Sequence, residues 1–281
     1  MVGAIAVMAL GVWWYIGQSG PSNAAAVYQF DTADFHSLSF DPVDADTVYF
    51  GHHGGLKVSR DAGESWDDTN LQGADAMQLA MPAGEGGRMY AAGHNVFSVS
   101  TDGGETWEPQ PNNLPGTDLH TFAGSPSDPM RLYAVPGGQG LFTSGDGGAT
   151  WEPIAMPSGG AMGMMAMAVS PDDPLHLYAG GTGTLSESTD GGRTWQEQPG
   201  PSGTVTAITV VPGEPATVYA ATELGLFTRG NDGSWQPLAV DASGAVLAIA
   251  ASPVNPDRVA VLDQEGNFYR SDDSGQSWSA D

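Results

Sequence analysis

Six histidines and eleven methionines stand in a chain without cysteine. Imidazole and thioether are copper ligands, and imidazole also suits zinc or nickel. Four of the histidines, His36, His53, His94 and His120, lie in the first half of the chain, and Met77 and Met165 fall at places comparable to His36 and His120. Asp34 and Asp118 each precede a histidine by two residues, where a carboxylate can ligate a metal or orient the ring. These six residues, His36, His53, His94, His120, Met77 and Met165, form a candidate copper or zinc site. Two other readings stay open. The histidines can be hydrogen-bonded fillers beside core methionines, or one of them can serve acid–base chemistry. A different chemistry, glycoside hydrolysis, needs two carboxylates at a suitable separation. Asp34, Asp118, Glu223 and Glu265 are eligible, as are Asp75 and Asp263. With 33 acidic residues in the chain, such pairs also arise as an ordinary solvated face. No nucleophile elbow and no phosphate loop is present.

The elements that must position these groups come from a repeat. Ser-x-Asp-x-Gly-x-Ser/Thr-Trp occurs at SRDAGESW, STDGGETW, SGDGGATW, STDGGRTW and SDDSGQSW, with a looser copy at TRGNDGSW. The tryptophans of these boxes are Trp66, Trp107, Trp151, Trp195, Trp235 and Trp278. Each unit carries an alternating strand, a Pro/Asp turn, a strand with tyrosine (TVYFG, RMYAA, RLYAV), a third strand, the box and a short fourth strand. Repeats of about 40–45 residues with four short antiparallel strands mark a propeller blade. The chain is therefore expected to be all-β, a six-bladed β-propeller over residues 27–281. Within each box the aspartates Asp61, Asp102, Asp146, Asp190 and Asp273 are expected to bond their own turn. The tryptophan plugs the blade with roughly 150–250 Å² of apolar surface.

We letter the strands of a unit A to D from inner to outer. Aligned on strand A, the second position reads His36, Met77, His120, Met165, Thr206, Leu247. His53 and His94 each lie four residues past a strand-B tyrosine, Tyr49 and Tyr90. Five of the six histidines thus map to the face built from B–C and D–A loops, and only His176 sits in an A–B turn.

These repeats resemble the Asp-box, or bacterial neuraminidase, repeats of sialidases, sortilin-type receptors and a photosystem II assembly factor. The lead-in DFHSLSFDP, with VYFGHHGGLKVSRDAGESW, is similar to a narrower group of exported bacterial proteins labelled glycosyl hydrolases. The resemblance implies the propeller fold. A sialidase would also need an arginine cluster and an activated tyrosine. The seven arginines map to A–B turns and boxes, on the other face, and five tyrosines repeat at one strand-B position as core. Sialidase chemistry is therefore not expected, and the box itself is a folding device shared by unrelated functions.

The formal charge is -25, with Lys57 the single lysine. Such acidity repels nucleic acid and anionic lipid, so neither is an expected partner. Val2–Ile16 is free of charge and ends in Trp13, Trp14 and Tyr15; as a helix it would span about 22 Å. Polar residues and Ala24–Ala26 follow. Residues 1–26 read as an export signal or a single membrane anchor, a hydrophobic helix that would carry the protein outside the cytoplasmic membrane. The expected partners are the membrane through this segment only and a protein on the B–C/D–A loop face, with a monomeric propeller. Val27–Phe30 (VYQF) is apolar, and the last unit has little chain left for a fourth strand, so the two are expected to pair.

Overall fold

The computed structural model describes residues 25–32, 34–83, 87–155, 164–213 and 215–278. The expected helix over Val2–Ile16 lies outside the described residues. Among the described residues every regular element is a β-strand, and no helix is long and apolar enough to cross a membrane.

Strand β1 is Tyr28–Gln29. The first sheet runs β2 (Phe35–Phe40), β3 (Val48–His52), β4 (Gly55–Ser59) and β5 (Asp67–Gln72). The second runs β6 (Gln78–Ala80), β7 (Met89–Gly93), β8 (Val96–Ser100) and β9 (Glu108–Pro109). The third runs β10 (Leu119–Gly124), β11 (Leu132–Pro136), β12 (Phe142–Ser144) and β13 (Glu152–Pro153). A seven-stranded sheet follows: β14 (Ala166–Val169), β15 (Leu177–Gly180), β16 (Thr182–Ser188), β17 (Gln196–Val211), β18 (Thr217–Thr222), β19 (Gly225–Arg229) and β20 (Trp235–Leu238). Its long β17 pairs with β16 through its first half and with β18 through its second. One strand thus serves as the outer edge of one unit and the inner strand of the next. The last sheet is β21 (Val246–Ala251), β22 (Val259–Asp263) and β23 (Asn267–Ser271), with β1 as its fourth strand.

All pairs are antiparallel, and the inner strands touch in chain order, with β21 returning to β2. They enclose a central cavity of about 190 Å³. The ring is closed by the N-terminal strand. Tyr28 pairs with Phe268 and Gln29 with Asn267, while the Val27 amide donates to the Phe268 carbonyl at 2.8 Å. Phe30 packs its ring 4.2 Å from Phe50 and 5.0 Å from Trp66. Two arginines of the last sheet add polar closure. Arg258 pairs with Asp46 and donates to the Ala45 carbonyl, and Arg270 donates to the Ala62 carbonyl at 3.0 Å.

The box explains its own sequence. Around Asp102, the Ser100 hydroxyl donates to Oδ1 at 2.8 Å and accepts from the Gly104 amide at 2.8 Å. The Thr106 amide donates to Asp102 Oδ1 at 2.9 Å, and its hydroxyl donates to Oδ2 at 2.5 Å. The Trp107 indole N–H returns to the Gly104 carbonyl at 3.1 Å. The same serine, aspartate and glycine bonds recur around Asp61, Asp146, Asp190 and Asp273. The glycine is needed for close approach: a Cβ on Gly148, at φ +86, would lie 2.3 Å from the Phe97 ring. The looser copy differs. Asp232 bonds Ser234, and Trp235 donates outside its box, to the Pro199 carbonyl at 3.0 Å.

The tryptophans of the full boxes pack where one sheet meets the preceding one, while Trp235 packs within the seven-stranded sheet. Trp107 of the second sheet lies with Tyr49, Leu56 and Val58 of the first, and Trp66 of the first lies against Phe268 of the last. Tyrosines staple the same junctions in the other direction. Tyr49 donates to the Gly103 carbonyl at 3.1 Å and Tyr90 to the Pro129 carbonyl at 2.6 Å.

Three outcomes follow from this architecture. Trp107→Ala empties a site that is 7% exposed and is expected to cost about 3–5 kcal/mol. Trp235→Ala, at a half-buried site, is expected to cost less; chemical denaturation of both variants compares them. Removing residues 1–30 takes away β1 and Phe30 and is expected to lower the melting temperature, whereas removing 1–24 leaves it unchanged. Finally, the Thr106 hydroxyl and amide hold Asp102 well below the carboxylate range, at about 2, and Thr194 does the same for Asp190. A depressed folded-state pKa gives stability that is complete above the unfolded value near 4 and lost as pH falls through about 2. Melting curves between pH 6 and 2 should show that loss, and Asp102→Asn should flatten it while lowering stability at neutral pH.

Candidate metal centre

The second position of the inner strand is a β-bulge. In the first sheet Phe35 faces His52 and Ser37 faces Gly51, so His36 has no ladder partner. The third sheet repeats this at His120, between Leu119 and Thr121. Thr206 and Leu247 are skipped in the same way in later units. A bulge re-aims the side chain it carries, here towards the rim. Met77 and Met165 do not share this geometry. β6 begins at Gln78 and β14 at Ala166, so both methionines precede the ladder, and Met165 is 56% exposed. The alignment still holds in register: Gln78 and Ala166 pair opposite the second residue past the strand-B tyrosine, as Ser37 and Thr121 do, and only the pair before the methionine is missing.

His53 and His94 come from the hairpin turns β3–β4 and β7–β8. His94 forms an isolated bridge with Asp118, and Asn95 beside it takes φ +56 to complete the turn. These turns meet the bulges of neighbouring strands. His36 Nε2 lies 2.9 Å from His53 Nδ1, and His94 Nε2 lies 3.0 Å from His120 Nε2. The His53 and His94 rings are 6.3 Å apart between centres.

Carboxylates complete the cluster. Asp118 Oδ1 is 3.1 Å from His94 Nε2 and 2.9 Å from His120 Nε2. Asp75 sits among the other three rings: Oδ1 is 3.4 Å from His36 Nε2, and Oδ2 is 3.4 Å from His53 Nε2 and 2.5 Å from His94 Nδ1. Asp34, at φ +68, lies at the margin, 3.7 Å from His53. From sequence, Asp75 is eligible only as a glycosidase acid. Its signal was available, since it precedes Met77 by two residues as Asp34 precedes His36 and Asp118 precedes His120. Two sets of three donors arise, each with its atoms within 4.8 Å of one another: His36, His53 and Asp75, and His94, Asp118 and His120. Burial pushes the His36 imidazole below its ordinary value, against the pull of Asp75. That favours the neutral ring, the form that binds metal. A cleft of about 660 Å³ opens beside the cluster, with His53, Asp75 and His94 on one wall and Phe97, Trp107 and Leu119 among its apolar lining.

The other two histidines point to different work. His52 closes β3, stacks on Phe50 at 5.2 Å and accepts from the Gly54 amide at 3.0 Å. His176 stacks on Tyr178 and lies 3.5 Å from Glu187.

A family model described as sortilin, neurotensin receptor 3 (Sortilin-Vps10) matches residues 95–200, less than half of the chain. No curated protein matches the chain. Among solved structures, YCF48 bound to D1 peptide is similar at 19% identity, with a TM-score of 0.56 over 90% of this chain and 82% of that one. The GH74 xyloglucanase from Xanthomonas campestris shares 19% identity at a TM-score of 0.60 over 90% of this chain. The fold is a sialidase-like β-propeller. YCF48 from Cyanidioschyzon merolae aligns with it at 18% identity, a TM-score of 0.55 and coverage of 91% and 87%. The chain spans 46% of the xyloglucanase chain. At these identities the likeness concerns the propeller alone, and the neighbours include both a glycoside hydrolase and peptide-bound YCF48.

The side chains that a sialidase would recruit have structural partners in this propeller. Arg229 pairs with Glu187, Arg60 with Glu105 and Arg258 with Asp46 and Asp272. Burial raises the hydroxyls of Tyr49 and Tyr178 to about 12, far from a phenolate at neutral pH. Of the glycosidase candidates, Asp34 and Asp118 face imidazoles, Glu223 accepts the Thr204 amide at 2.7 Å, and Glu265 lies 3.5 Å from the Gln264 amide nitrogen. Asp263 is fully buried and accepts from Ser243, Glu265, Asn267 and Tyr269, which makes it a turn anchor.

Proposed function

We propose that this chain is an exported, monomeric, six-bladed propeller that binds a transition metal, copper or zinc, at one rim and acts as a binding or scaffold module. The observation that carries the metal reading is the meeting of four imidazoles from three neighbouring sheets around Asp75 and Asp118. Two imidazoles and a carboxylate with open positions are a recurrent donor set for zinc and for other first-row ions. Six blades fit the sheets if the seven-stranded one counts as two units sharing β17. Export rests on the apolar Val2–Ile16 segment and the alanines after it.

The cleft beside the imidazoles favours a second reading at the same face, the docking of a protein segment. The similarity to YCF48, in a structure described as bound to a D1 peptide, supports it. Glycoside hydrolysis by Asp34, Asp118, Glu223 and Glu265 is the enzymatic alternative, supported by the GH74 likeness.

Zinc or copper at about a hundredfold excess over its dissociation constant should stabilise the fold by about 2.7 kcal/mol. At this size that raises the melting temperature by several degrees. His36→Ala combined with His120→Ala should remove the shift and leave the metal-free melting curve in place. A shift that survives in the double variant would place the ion elsewhere on this acidic surface. Turnover of a chromogenic glycoside panel by metal-free protein would favour the hydrolase instead.

A further inference from the structure

The donors fall into two sets, and the division follows the junctions between sheets. His36 and His53 of the first sheet meet Asp75 at the entry to the second, while His94 of the second meets Asp118 and His120 of the third. The second set is a triangle with sides of 2.9–3.1 Å. Donors about 2.0–2.2 Å from one ion are spaced like this on one face of its coordination sphere. The first set has its own short edge, 2.9 Å between His36 and His53, with Asp75 Oδ1 at 3.4 Å. No group of donors within 4.8 Å of one another contains all four imidazoles.

Each set also holds one carboxylate oxygen that is shielded from solvent, Asp75 Oδ1 and Asp118 Oδ1. Neither forms a well-aligned hydrogen bond, and the polar atoms beside them are imidazole nitrogens at 2.9–3.4 Å, themselves donors to a metal. Asp75 divides its work between the sets. Its Oδ1 faces His36 of the first, while its Oδ2 lies 3.4 Å from His53 and holds His94 Nδ1 at 2.5 Å. A proton on His94 Nδ1 leaves Nε2 as the lone pair facing Asp118 and His120, the arrangement by which a carboxylate orients a metal-binding imidazole.

We infer that the rim is a dinuclear centre, holding one divalent first-row ion on His36, His53 and Asp75 and a second on His94, Asp118 and His120. The inference rests on the metal reading above and adds the number of ions and the assignment of ligands to each. Three protein donors leave each ion with open positions, and the cleft wall formed by His53, Asp75 and His94 gives an external donor access to them.

Equilibrium dialysis of the full chain against Zn²⁺, with excess Mg²⁺ to occupy surface carboxylates, followed by elemental analysis, counts the ions. Two per chain are expected. His36→Ala with His53→Ala should retain one, and His94→Ala with His120→Ala should also retain one. With Cu²⁺, electron paramagnetic resonance of the wild-type protein should show spin–spin broadening that either double variant removes. The wild-type count and broadening need no variant, so a misfolded variant does not shelter the idea. One ion per chain, lost in both double variants, would overturn the dinuclear assignment and leave a single shared metal site. No bound ion, or two ions indifferent to all four histidines, would overturn the metal reading as well.

Discussion

A box aspartate accepts a serine hydroxyl, a backbone amide and a second hydroxyl within one turn, and that turn fixes where an indole goes. The indole fills the junction with the preceding sheet, as Trp107 does against Tyr49, Leu56 and Val58. The spacing between sheets is thereby set by a hydrogen-bonded turn rather than by strand pairing, which operates only within a sheet. Tyr49 and Tyr90 bond the neighbouring unit across the same junctions. The rim inherits this spacing, because His36 and His120 ride on inner strands whose separation the junctions dictate. Where the box is incomplete, at Asp232, the design loosens: the indole of Trp235 turns to a carbonyl outside its own box.

The bulge is the second constraint, and it separates a channel wall from the rim. A residue paired in the ladder alternates between the two faces of its sheet. His36 and His120 escape that alternation because each is skipped by the facing strand. Thr206 and Leu247 occupy the same bulge without ligand chemistry, so the device belongs to the fold and the histidines exploit it. The turn residues His53 and His94 then need only reach across one junction.

The repeat, the four strands of each unit and the closing strand were legible in the sequence because their determinants are local. The serine, aspartate and glycine of each full box bond within a few residues, and VYQF is apolar next to a unit short of its outer strand. The sequence expectation puts the four histidines in one candidate site, whereas their donors divide into two sets. Register places residues at one level of a ring and says nothing of how a bulge or a hairpin aims a ring nitrogen. Asp75 reads from sequence as a glycosidase candidate and not as a metal ligand because Met77, rather than a histidine, stands two residues after it, although the position matches Asp34 and Asp118. The methionines keep the aligned register, one residue before the pairs Gln78↔Ala92 and Ala166↔Gly180, but β6 and β14 start after them and hold no bulge there.

The surroundings decide what the rim favours. A net charge of -25 creates a field that draws cations and repels anions over the whole surface. Carboxylates alone would answer it with weak, exchangeable binding of hard ions that prefer oxygen. Imidazole nitrogen changes the preference towards first-row transition metals. The four rings lie among carboxylates, with one of these, Asp75, beside three of them. Because each donor set bridges two sheets, a bound ion would join elements that the backbone does not pair. The same contacts that select the ion would then tighten the ring at the face where the cleft opens, and binding there would be coupled to the stability of the propeller rather than added to its surface.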